Sequence, residues 1–157
     1  MHPTTARWFA EYAADHRHPT NRLTHKVAIP AILFHIFAML AYVPVAEVGG
    51  FPLTLGLLAW LGASIFWVRF LPKSGLILAL VSLPAAIWGA LVPFPALVVL
   101  AVVAWVIQLA GHSVWEKNRP SFLRNLVQSL IGPLFFSAVL TGEFGGKKPV
   151  SEGAEAS

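Results

Sequence analysis

Three histidines, His16, His18 and His25, fall within the eleven residues DHRHPTNRLTH, 15 to 25, just ahead of a long apolar run. A second polar group, QLAGHSVWEKNRP, covers residues 108 to 120 and sets Gln108, His112 and Glu116 at intervals of four. Steps of four place side chains on one stripe of a helix, and Asn21 and His25 share a face by the same rule. Neutral imidazoles bind iron, zinc and copper, and a carboxylate can complete the set. Two histidines with a carboxylate, leaving positions open, is the usual setting of non-haem Fe(II) oxygenases, and three histidines with open positions would also serve. His16, His25 and His112 are the candidate nitrogen ligands. Glu116, Gln108 and Asn21 are either a further ligand or hold the imidazoles by hydrogen bonds from behind. No HExxH motif is present. The chemistry therefore depends on whether the chain brings the two groups together. His16 and His25 are nine residues apart and would point roughly 180° apart on one straight helix, at ~100° per residue. They converge only if the chain turns between them, and His18-Pro19 is where it would turn.

The elements that must do this positioning are membrane spans. Hydrophobic residues make up 57% of the 157-residue chain and charged residues 11%, against about 25% charged in a water-soluble domain. Residues 74 to 115 contain no Asp, Glu, Lys or Arg. That run is long enough for two crossings of about 20 residues each, with Pro93-Phe94-Pro95 as the turn between them. Spans are expected over 22–43, with Pro30 as a kink, and over 52–70, 75–92 and 95–112. A loop carries Glu47, Gly49 and Gly50. The apolar segment 122–140 either crosses or is a re-entrant or interfacial helix. Residues 3–15 read as a short helix with Trp8, Phe9 and Tyr12 on one side, lying on the bilayer surface, and Thr20 or Asn21 would cap the helix that follows. The expected fold is all-α: an integral membrane helix bundle of four spans, an N-terminal interfacial helix and a fifth spanning or re-entrant segment. It forms one membrane domain over 1–142 with a disordered tail over 143–157.

Charge orients this bundle. The N-terminal segment, the 69–73 loop and the 113–124 segment are basic, whereas the 44–51 loop has one acid and the 93–95 turn no charge. The positive-inside rule puts the basic side, and the N-terminus, in the cytoplasm. Lys147 and Lys148 argue mildly against a crossing by 122–140. With four spans, His16 and His25 precede the first and His112 and Glu116 follow the fourth, so all meet at the cytoplasmic face. The polar first 26 residues give no expectation of a cleaved signal peptide. The absence of cysteine excludes disulfides and thiolate ligands. The net charge of +4 suits contact with membrane lipid, and no basic aromatic stripe points to nucleic acid. Plainer roles also exist. His2 and His18 read as interfacial residues. His35, inside a span, either bonds a neighbouring helix or joins the site. Glu116 has Lys117, Arg119 and Arg124 as alternative ion-pair partners, and the tryptophans of the spans read as packing or interfacial residues.

Two blocks together resemble the 2-hydroxy fatty acid dioxygenase family of small multi-pass membrane proteins. The first is Tyr12-x3-His16-x4-Asn21-x3-His25, continuing to Pro30. The second is Gln108-x2-Gly111-His112-x3-Glu116-x3-Pro120, continuing through Leu123, Asn125-Leu126, Gln128 and Pro133. The resemblance runs from about 8 to 136. It implies an Fe(II)-dependent enzyme that oxidises a long-chain 2-hydroxy fatty acid with dioxygen to the acid one carbon shorter, as in phytosphingosine degradation. It also implies His16, His25 and His112 as the iron ligands. A 2-hydroxy acid can chelate iron through carboxylate and hydroxyl, with its tail among the spans. Tyr12 either donates a proton or anchors its helix, and Arg17, Arg22 and Lys26 either attract the carboxylate or orient the protein. Ala28 stands where the family pattern has glycine, Leu109 where it has an aromatic residue, and 136–140 lack an acid expected there. The membrane would be the inner membrane in a bacterium or the endoplasmic reticulum in a eukaryote, and pairing with a second copy fits a small bundle. The competing readings are a haem- or metal-binding membrane protein without turnover, another metal-dependent lipid enzyme such as a hydrolase, and a scaffold without metal.

Overall fold

The computed structural model describes residues 2–123 and 125–144. Arg124, Lys147, Lys148 and the tail from 145 onward lie outside the described residues, as do the expectations placed on them. The order of elements is α1 (Pro3–Ala14), α2 (Pro19–Leu40), β1 (Pro44–Val48), β2 (Phe51–Thr54), α3 (Leu55–Phe70), α4 (Pro72–Trp88), α5 (Phe94–Ala110) and α6 (Gln128–Leu140). A short 3₁₀ turn, Gly89–Leu91, ends α4, and a π-helical segment, Gly111–Glu116, prolongs α5. The fold is all-α apart from one hairpin.

Proline punctuates the chain as its missing N–H dictates. Pro19 opens α2 at a position where no donor is needed. That makes His18 the cap, its ring nitrogen accepting from the backbone N–H of Thr20 at 3.2 Å. The cap is thus two or three residues earlier than the Thr20 or Asn21 expected from side-chain preference alone. The segment 44–54 is a β-hairpin rather than a plain loop. Gly49 and Gly50 both have positive φ, 59° and 81°, which is what a two-residue turn matching the strand twist requires. The pair Val48 and Phe51 closes it. The helix of the second apolar segment consequently begins at Leu55, capped by Thr54 onto the Leu57 N–H at 3.3 Å, not near 52.

The central helix is α2, packed against α3, α4, α5 and α6, while α3 and α4 pair along their lengths. Trp67 of α3 is fully buried and donates its indole N–H to the Leu130 carbonyl at 3.0 Å. The apolar side of α1 is covered by protein. Phe9 meets Phe135 edge-on at 5.2 Å, and Trp8 packs against Phe66 and Phe70. Pro19–Leu40, Pro72–Leu91 and Phe94–Glu116 are three helices long and apolar enough to cross a membrane, with α3 and α6 as shorter apolar helices. Their outward faces carry Leu80, Val81, Val99, Val102 and Val106 exposed, an apolar surface larger than a water-soluble monomer presents. At 13 residues, α6 is shorter than the ~20 a crossing takes.

Candidate metal centre

The N-terminal end of α2 and the C-terminal end of α5 lie side by side, and the corner after α1 folds over them. This brings His16, His25 and His112 together, one possible ligand atom of each lying within 4.8 Å of the others. The Nε2 atoms of His25 and His112 are 2.9 Å apart. Two ligands at right angles around an ion ~2.1 Å from each nitrogen have about that separation. The rings meet edge-on at 76° to 78° with centroids 4.6 to 4.8 Å apart.

Backbone carbonyls set the tautomers. His16 Nδ1 is 2.6 Å from the Tyr12 carbonyl and His25 Nδ1 is 2.8 Å from the Asn21 carbonyl. A carbonyl only accepts, so each Nδ1 carries the proton and each Nε2 presents a lone pair. His16 Nε2 is buried with no hydrogen-bond partner, as suits a ligand atom. Burial, the largest influence, pushes the His16 imidazole below its ordinary value, partly opposed by its bond to Tyr12. Neutral rings are the form that binds metal.

The corner that carries His16 is fastened to the end of α5. Glu116 Oε1 accepts from the His18 backbone N–H at 2.7 Å and from the Asn21 side chain at 3.1 Å, and the Asn118 amide donates to Asp15 at 3.1 Å. Glu116 thus turns to His18 and Asn21, not into the histidine cluster. The π-helical turn widens the backbone where His112 must enter. Gly111 makes the approach feasible, because a Cβ there would lie 2.4 Å from Asn21 Oδ1 and 2.6 Å from Thr24 Oγ1.

Gln108 places its amide nitrogen 2.8 Å from His25 Nε2 and leaves its Oε1 buried without a partner. Tyr12 stacks on His16 with ring centroids 3.9 Å apart, and its hydroxyl is buried and unpartnered. Burial raises the Tyr12 pKa far above the usual phenol range, so it remains a donor. Every site residue expected from the sequence therefore lies in or beside one cluster. His2 and His18 cap helices, and His35 bonds the Ala31 carbonyl within its own helix, outside the three-histidine cluster.

A cavity of about 290 Å³ opens from the cluster into the bundle. Tyr12, His16, Gln108 and His112 line its polar end, and Ile32, Leu33, Ile36, Phe37, Ala59 and Ala63 line its apolar depth. Two further polar residues line it that spacing arguments did not select, both at the start of α6: Ser129, which donates to the Leu126 carbonyl, and Gln128, with its Oε1 buried and unpartnered. The only hint of Gln128 in the sequence is its place in the second block.

The described residues thus define a helical bundle of membrane-spanning character with a buried three-histidine cluster at the head of an apolar cavity. The chain belongs to the family described as 2-hydroxy-palmitic acid dioxygenase Mpo1-like, whose model matches residues 2–144. It is 33% identical over 129 residues to the 2-hydroxy-palmitic acid dioxygenase MPO1 of Saccharomyces cerevisiae, covering 80% of this chain and 72% of that protein. No solved structure matches the chain.

Proposed function

We propose that this protein is a non-haem Fe(II)-dependent membrane dioxygenase that shortens long-chain 2-hydroxy fatty acids by one carbon. The observation that carries the reading is the His25–His112 approach of 2.9 Å at the polar end of an apolar cavity. The overall change balances as 2-hydroxy acid plus dioxygen giving the shorter acid, carbon dioxide and water. His16, His25 and His112 would hold the iron, which supplies the activation of dioxygen. Rings arranged edge-on about a common point suit a single ion better than a haem, whose two axial imidazoles would have to face each other across the macrocycle.

The residues around the ion have separable tasks. The cavity takes the tail, which explains why a polar head site opens into an apolar bundle. The Tyr12 hydroxyl, held protonated, donates a hydrogen bond to the substrate carboxylate. Gln108 stands beside His25 Nε2 and lines the same space; with that nitrogen's one lone pair given to the iron, the Gln108 amide is free to bond the bound substrate. Glu116 and Asn21 act through the histidines, holding the corner of His16 and the carbonyl that fixes His25. The basic segments on either side of the site orient the bundle with its N-terminus and site at the cytoplasmic face, α2 to α5 crossing and α6 remaining re-entrant.

The test is anaerobic loading of detergent-purified protein with Fe(II), followed by oxygen uptake with 2-hydroxypalmitate. Iron near one per chain with a pentadecanoic acid product is expected. Zinc retained in preference to iron, or no oxygen uptake by the loaded protein, would overturn the reading.

A further inference from the structure

Gln128 is 4% exposed and lines the same cavity as Tyr12, His16 and His112. Its side chain is held at one end only. The amide nitrogen donates to Glu11 Oε2 at 3.2 Å. A carboxylate accepts and never donates, so the nitrogen must face Glu11 and the oxygen must face away. That leaves Oε1 as an acceptor with a fixed direction, buried and without a partner. Burying an acceptor unpaired is costly, and native structures do so rarely without a purpose.

A second unpartnered polar atom faces the same space, the Tyr12 hydroxyl. Gly132 stands one turn beyond Gln128 on the same stripe of α6, and a Cβ there would come within 3.4 Å of that hydroxyl. The cavity head therefore offers one donor, from Tyr12, and two amide acceptors, Gln108 Oε1 and Gln128 Oε1, of which only the second has its direction fixed by a carboxylate. The head of a 2-hydroxy acid is the complement: a carboxylate that accepts beside a hydroxyl that donates. A plain fatty acid leaves the Gln128 oxygen unpaired, and a 2-oxo acid sets acceptor against acceptor.

We propose that Gln128 is a specificity residue that reads the 2-hydroxyl of the substrate, its Oε1 accepting the hydroxyl hydrogen bond, with Glu11 as the positioning residue that fixes the amide. This rests on the substrate class proposed above. A site built to bond a hydroxyl rejects the analogue that lacks it more strongly than an apolar pocket can.

The experiment is competition binding to the Fe(II)-loaded protein under anaerobic conditions, so that nothing turns over. Labelled 2-hydroxypalmitate is displaced by 2-hydroxypalmitate, palmitate or 2-oxopalmitate. Wild type prefers the hydroxy acid over both. In Gln128→Leu the ratio of hydroxy acid to palmitate affinity falls on the order of tenfold, with palmitate binding and iron content unchanged. Glu11→Ala, a change at an exposed position, lowers the ratio by less, because the amide remains but is free to turn; it decides the matter should Gln128→Leu not fold. Equal weakening of both acids in Gln128→Leu, an unchanged ratio in the deciding variant, or a wild type without preference would overturn the proposal. The dioxygenase reading fails separately, by absence of oxygen uptake when the wild-type protein is returned to air.

Discussion

His25 Nε2 and His112 Nε2 lie 2.9 Å apart although 87 residues separate them in the chain. The His25 nitrogen presents a lone pair, so a cation or a proton must stand between the two. His112→Ala is expected to reduce bound iron from near one per chain to traces and to lower oxygen uptake with 2-hydroxypalmitate by more than ~100-fold. His35→Ala, whose ring serves only a carbonyl of its own helix among the contacts described, should retain both. Metal analysis and an oxygen electrode on the two variants check this pair of outcomes.

Glu116 tests whether the corner over the site matters independently of the ligands. Its hydrogen bonds from the His18 N–H and the Asn21 amide end on one oxygen, Oε1, and the Arg17 backbone N–H also bonds the carboxylate. Glu116→Gln keeps an oxygen able to accept both, whereas Glu116→Ala removes it. Metal affinity, measured by competition with a chelator, should fall by about 10- to 100-fold in Glu116→Ala and distinctly less in Glu116→Gln. Equal losses in the two variants would assign the carboxylate charge a direct part at the ion instead.

The site was legible in the sequence because its members come in two short blocks with helical spacing. His16 and His25 could converge only through a turn, and Pro19 marked it. What the spacing could not give was direction. A four-residue stripe puts Gln108, His112 and Glu116 on one face, yet the π-helical turn from Gly111 lets Glu116 reach back to His18 while His112 meets His25. The hairpin over 44–54 is harder to tell from a plain loop, because the strands that flank the Gly49-Gly50 turn are only five and four residues long. Gln128 stands in the second block without a role, because its significance is an oxygen left unpaired by Glu11, a residue 117 positions away; no local pattern carries that. The Ala28 departure has a plain outcome: the position is fully buried.

Protonation of His16 links the site to stability. Burial holds its folded pKa below the ordinary 6.5, so between the two values the unfolded chain binds more protons than the folded one. Stability therefore falls as pH drops through that window and is fully present above it. Thermal unfolding of protein stripped of metal by chelator, followed from about pH 7.5 down to 5, should show a declining Tm. His16→Gln, which has no titrating ring, should show a shallower decline. An identical slope in the variant would mean that another group governs the acid limb.

The depth of the cavity sets an expectation for chain length. Ile36 stands eleven residues beyond His25 on α2, about 16 Å along the axis at ~1.5 Å per residue. A methylene chain advances ~1.3 Å per carbon, from a ~1.5 Å bond at the tetrahedral angle, so the space suits roughly a dozen methylenes beyond the head. Ala59 lines this cavity with Ile36 and Phe37, and its small side chain leaves the room. In Ala59→Phe the added ring would occupy the place of several carbons. Activity on 2-hydroxypalmitate should fall by tenfold or more relative to 2-hydroxylaurate, on the scale of ~1–3 kcal/mol for overfilling a packed space. Iron content should not change, since Ala59 lies away from the histidines. Loss of activity on both acids alike would place the tail elsewhere, along the exposed faces of the bundle rather than within it.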